Sequence, residues 1–251
     1  MFIGHRKKEI VDSFLNKPRI QMIHEKLQES LKQYCSQHDN HRTLDIHPSC
    51  ESTTAYRKST FIVSFKYDSE DAELALAHEL LHCKFVLDGA KLPIPLQSDE
   101  SPSVWLVREL LIRSITHHTL IVTEQERYGY SPELQKFSLP SSVLCQYPDP
   151  KSLEQDNHYE KAFLLALIGK RLFVRDENAD SLLRPRVCEK GLEKLYDRIC
   201  GVFPDGVDPI EHVNTLTQEV IQAFGMDKDI KLVDLEDFAI WYEGYLELFR
   251  A

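Results

Sequence analysis

The chain has 251 residues, 42% of them hydrophobic and 28% charged, with a formal net charge of −10. That length suits one large domain or two small ones with a sizeable core, and the acidic balance excludes nucleic-acid binding through bulk charge. No apolar run approaches the length of a membrane span, and the basic start (Met1 to Glu9) is followed by no apolar stretch, so neither a membrane anchor nor a secretory leader is expected.

Residues 6–16 and 19–37 read as helices with a break at Pro18. The second is apolar along Ile20, Ile23, Leu27, Leu31 and Tyr34 and polar on the opposite side. A loop carrying His38, His41 and His47 follows; its spacing matches no zinc pattern, so a solvated loop is expected. Residues 43–67 carry two or three short strands, the last of them Phe61 to Tyr67 with the alternation of a half-buried strand. Residues 72–87 read as an amphipathic helix with Leu74, His78, Leu81, His82 and Phe85 near one face. Asp68 or Ser69 is the expected cap, and Asp88-Gly89 the expected stop. Gly89 to Pro102, with Pro93, Pro95 and Pro102, reads as an irregular connection. Residues 103–124 form another helix, and 129–157 are rich in loop signals. The remainder reads as helices over 158–175, 180–201, 209–224 and 234–250, the last lined by Phe238, Trp241, Tyr242, Tyr245 and Phe249 as core or docking surface.

The six cysteines (Cys35, Cys50, Cys83, Cys145, Cys188 and Cys200) form no C-x-x-C pair and suggest no disulfide framework. Free thiols in a reducing cytosol are the natural reading. Cys83 adjoins His82, but neighbouring helix residues point about 100° apart, so Cys83 is expected to pack rather than to bind a metal.

The chemistry concentrates in His78-Glu79-Leu80-Leu81-His82. Two imidazoles four residues apart share one helix face, and a glutamate follows the first. This arrangement holds a zinc ion with a general base beside it. With the strand before it, Ala77-His78-Glu79-Leu80-Leu81-His82 resembles the active-site helix of the zincin metallopeptidases. It is most similar to the small intracellular group that spells this stretch A-H-E-L-x-H. The likeness covers about thirty residues, strand through helix, and the metzincin extension is absent. It implies a zinc cofactor, a peptide or protein substrate, Glu79 as the catalytic base, and a third metal ligand from a downstream helix. Helical geometry ranks the candidates in 103–124. Val104, Val107, Leu111, Ile115 and Val122 share one apolar face. His118 falls in its middle, His117 about 100° away, and Glu109 on the opposite side, so His118 ranks first, His117 second and Glu109 third. Tyr128, Tyr130, Arg113 and His117 are candidates for stabilising an oxyanion. Strand 61–67 is a candidate edge for an extended peptide.

The expected fold is therefore α+β. Residues 1–157 form a zincin-like metallopeptidase core with a small sheet and the active-site helix, and residues 158–251 form a largely helical region packed on it. The expected function is that of a soluble cytoplasmic zinc peptidase. The alternatives are a non-catalytic, zincin-derived binding or sensor module, and a helical interaction protein with a coincidental motif.

Overall fold

The computed structural model describes residues 2–96, 117–131, 164, 178–200, 208–223 and 225–248. Helices α1 (Phe2–Leu15) and α2 (Pro18–His38) open the chain. Pro18 does more than separate them. It occupies the first turn of α2, where its missing N–H costs nothing and its fixed φ suits the helix. The expected stripe of α2 is its buried face: Ile20, Ile23, Leu27, Leu31 and Tyr34.

Three strands follow: β1 (Thr43–Ser49), β2 (Thr53–Tyr56) and β3 (Thr60–Lys66), in the spatial order β1-β3-β2. β1 runs parallel to β3, and β2 returns antiparallel to it. Alternation in β3 buries Phe61, Val63 and Phe65 on one face. Thr54 and Tyr56 lie opposite Val63 and Phe61 and so share that face. β3 is paired on both sides. It cannot be the edge against which a peptide lies, and that expectation is corrected: among the described residues the outer strands of this sheet are β1 and β2.

Helix α3 (Ala72–Leu87) has the expected bounds but not the expected character. It packs against β3, β2 and α2. An element covered on several sides buries most of its circumference, and eleven of its sixteen residues are buried, Leu76, Leu80 and Leu81 completely. The helix is central rather than amphipathic. The less buried Ala75, His78 and His82 follow one another at spacings of three and four and form one stripe. The cap also differs: Asp71 occupies it without a side-chain capping bond to the helix, while Ser69 Oγ donates to Lys66 O. Asp88 ends the helix as expected, and Gly89 takes a φ of 108°, which a glycine adopts without a Cβ penalty.

The proline-bearing connection after α3 contains a strand, β4 (Leu92–Pro95), antiparallel to β5 (Ile230–Val233). In a two-stranded sheet each strand has an unpaired edge, so a proline can sit there without removing a ladder bond. Helix α4 (His117–Arg127) runs three residues beyond its expected end. The helix expected over 180–201 is two, α5 (Ala179–Glu189) and α6 (Glu193–Cys200), separated at Gly191 with its φ of 68°. Helices α7 (Pro209–Ala223) and α8 (Leu235–Leu248) complete the description. The first part of the helix expected over 103–124, nearly all of the helix expected over 158–175 and the boundary expected at 157 lie outside the described residues. Those described make an α+β fold, mostly helical, with eight helices and two small sheets. No described helix is long and apolar enough to cross a membrane.

Two compact units interleave along the chain. Among the described residues the first takes 2–89, 124–130 and 234–248, and the second takes the others. α8 therefore belongs with the N-terminal elements, and one carboxylate explains how it is fastened. Glu236 accepts hydrogen bonds from Tyr34 Oη (2.9 Å) and Asn40 Nδ2 (2.7 Å), and pairs with Arg42 Nη2 at 3.0 Å. The Arg42 side chain is fully buried, between the rings of Tyr34 and Phe61. Phe238 completes the attachment, packing edge-on against Tyr56 with centroids 5.8 Å apart. Glu236→Ala removes three partners at once and leaves a buried guanidinium uncompensated. The carboxylate is partly open to water, so a loss of about 2 kcal/mol is expected in urea unfolding. A change under about 0.5 kcal/mol would show that the cluster does not fasten α8.

Candidate metal centre

The i, i+4 spacing on α3 brings the two histidines together. Nε2 of His78 lies 3.2 Å from Nε2 of His82, with the rings edge to face at 77°. The third imidazole comes from α4: ligand nitrogens of His78, His82 and His118 all lie within 4.8 Å of one another. Among the described residues no other three His, Cys, Asp or Glu side chains converge in this way.

The spacing can be compared with what a metal needs. Zinc–nitrogen bonds of about 2.0–2.1 Å at tetrahedral angles place two ligand nitrogens about 3.3–3.4 Å apart. The His78–His82 pair is already close to that separation. Three neutral imidazoles also suit the borderline-soft divalent metals, zinc among them. The group can therefore hold a metal ion. His78 is prepared for it electrostatically, because burial pushes its pKa down to about 4, against a smaller upward pull from a hydrogen bond with Gln125. The ring is thus neutral, as a ligand must be, across the physiological range.

That depression has a consequence for the metal-free protein. The folded pKa lies below the unfolded value near 6.5, so protons favour the unfolded chain. The stability contributed by neutral His78 is fully present above pH 6.5 and is lost as pH falls toward 4. Allowing for the part of the ring open to solvent, about 2 kcal/mol should disappear across that window. Urea unfolding at pH 7 and 4.5, with His78→Phe as reference, checks it. Equal pH dependence in the two proteins would exclude the linkage.

Glu79 faces a different direction, one position on from His78. Its side chain is 7% exposed, and its Oε2 accepts a hydrogen bond from Thr54 Oγ1 of β2 at 2.7 Å. It is not one of the three converging groups. Cys83, one turn further, is fully buried; its thiol is raised by burial and then by the nearby Glu79 charge, so it packs as expected. The loop expected to carry His38, His41 and His47 is corrected, since His38 ends α2 and His47 lies in β1. Among the described residues they form no second centre, His38 stacking on Tyr34 with centroids 4.2 Å apart and His47 pairing with Asp45 at 3.0 Å.

The remaining candidates divide cleanly. Glu109 and Arg113 lie outside the described residues, as does the side chain of His117, whose backbone begins α4. Tyr130 is buried and donates to Glu73 Oε1 at 3.0 Å, near the start of α3, with Arg19 over its ring. One residue of the site goes unnoticed in the sequence: Gln125. It is 2% exposed and its Nε2 donates to the Leu74 carbonyl at 3.3 Å. A signal existed. Seven residues after His118, Gln125 lies only about 20° round the helix and must face the same way. The expected end of that helix at residue 124 hid it. Comparison with known proteins found no family model, curated protein or solved structure that matches the chain.

Proposed function

We propose that this chain is a zinc-dependent peptidase with a zincin-like core, acting in the cytosol on a peptide or protein substrate. One observation carries the reading: His78 and His82 of an H-E-x-x-H helix already stand 3.2 Å apart at Nε2, with His118 converging on them from a second helix. His78, His82 and His118 would hold the ion and leave a fourth position for water or substrate. A zinc ion held there would supply Lewis acidity, bringing the pKa of a water toward about 7. Glu79 takes the proton from the attacking water and returns it to the leaving amine. Thr54, whose hydroxyl donates to the carboxylate, steadies Glu79 between these transfers. A net charge of −10 leaves nucleic acid an unfavoured partner, and the unpaired Cys35, Cys50, Cys83 and Cys188 suit a reducing compartment.

A second reading has its own support. The carboxylate of Glu79 is turned to the sheet and held by Thr54, which suits a zincin-derived module that binds a metal without catalysis. One experiment tests the leading reading. Purified protein should contain one zinc per chain and cleave an unstructured peptide mixture. Chelation should stop cleavage, and added zinc should restore it. Protein that holds one zinc and leaves every peptide intact would favour the binding module, and protein that takes up no metal would remove both.

A further inference from the structure

Gln125 does something that burial alone does not explain. A primary amide has one donor end and one acceptor end. Its donor end is committed, since Nε2 faces the carbonyl of Leu74 at 3.3 Å. Leu74 stands one turn before His78 on α3, so the oxygen end of the amide is left beside the His78 ring, and the two side chains are hydrogen-bonded. The ring nitrogen nearest His82 is Nε2. The nitrogen left for Gln125 is Nδ1.

We infer that Gln125 is a positioning residue: its amide oxygen accepts the Nδ1–H of His78 and thereby keeps the Nε2 lone pair facing His82 and His118. This deepens the peptidase reading and rests on it for its purpose, but not for its test. In neutral imidazole one nitrogen carries the proton and the other the lone pair. Two Nε2 atoms 3.2 Å apart fit either a shared metal or a hydrogen bond from one ring to the other. An acceptor on Nδ1 fixes the part His78 plays in either case, because it draws the proton to the far side of the ring and leaves Nε2 as a lone pair, free to bind a metal or to accept from His82. A ligating histidine that donates its other N–H to an oxygen is fixed in both tautomer and rotation. Gln125 also ties α4 to the backbone of α3 within hydrogen-bond reach of His78, and it shares a helix face with His118. The residue that orients one ligand therefore also sets the rotation of the helix that carries another.

Two measurements on the full chain test this. In chelator-treated wild type, imidazole nitrogen NMR should show His78 protonated at Nδ1; protonation at Nε2 would overturn the inference outright, with no variant needed. Zinc affinity, read by competition with a chromophoric chelator, should fall about 10–100-fold in Gln125→Leu. Gln125→Glu keeps an acceptor oxygen but loses the donor to Leu74, and should stay within a few-fold of wild type or bind more tightly. Equal losses in the two variants would mean that Gln125 only fastens α4, and the inference would be wrong. Should Gln125→Leu fail to fold, the wild-type tautomer and Gln125→Glu still decide. A wild-type chain that binds no zinc sinks the peptidase reading, while the tautomer still judges Gln125.

Discussion

Glu79→Gln is expected to cut peptide hydrolysis by about 10²–10⁴-fold, the range a positioned general base contributes, while zinc content stays at the wild-type level. The substitution is nearly isosteric. An amide oxygen can still accept from Thr54 Oγ1, so the contact between α3 and β2 survives. What disappears is the basicity. The metal content should not change, because Glu79 lies outside the three converging imidazoles. The two readings of the centre part here. If the wild type hydrolyses peptides and Glu79→Gln matches it within a few-fold, Glu79 is not the base and the mechanism has to be rebuilt. If zinc leaves together with activity, Glu79 supports the fold of α3, and its pairing with Thr54 is a structural tie. A variant inactive with its metal retained is the outcome the mechanism requires. Thr54→Val probes the same carboxylate from β2.

Local signals in this sequence carry further than non-local ones. The bounds of α3 follow from its apolar run and from Asp88-Gly89, and the buried stripe of α2 follows from simple spacing. His118 can be ranked above His117 and Glu109 by counting angles round one helix, and among the described residues it is the side chain that converges with His78 and His82. What stays hidden depends on partners distant in the chain. α3 contains enough polar residues to look one-sided, yet α2, β2 and β3 cover it on several sides. β3 reads as an edge strand until β1, from before the hairpin, is seen to pair along its other side. β4 is disguised by Pro93 and Pro95 and exists because β5, over 130 residues later, pairs with it. Gln125 belongs to the same class. Nothing in its own neighbourhood marks it, and its role appears only when α4 is set beside Leu74 and His78.

His118→Ala should weaken zinc binding more than about a hundredfold, as should His82→Ala, measured by chelator competition and by metal content after dialysis. The size follows from the ligand shell. Losing an orienting partner outside the coordination sphere costs about 10–100-fold, so losing a coordinating nitrogen must cost more. The comparison between the two variants is informative, because His82 shares α3 with His78 and His118 arrives on α4. A metal held only by the i, i+4 pair would depend on His82 and ignore His118. A metal held by all three depends on both, and it should also brace α4, since a ligand that binds only the folded state stabilises that state by mass action. Saturating zinc should therefore raise the melting temperature of the wild type, and much less that of His118→Ala. A full shift in His118→Ala would assign the third position to water or to another side chain. His118 would then be a half-buried histidine beside a two-histidine site, and the open coordination position needed for hydrolysis would have to be sought elsewhere around the ion.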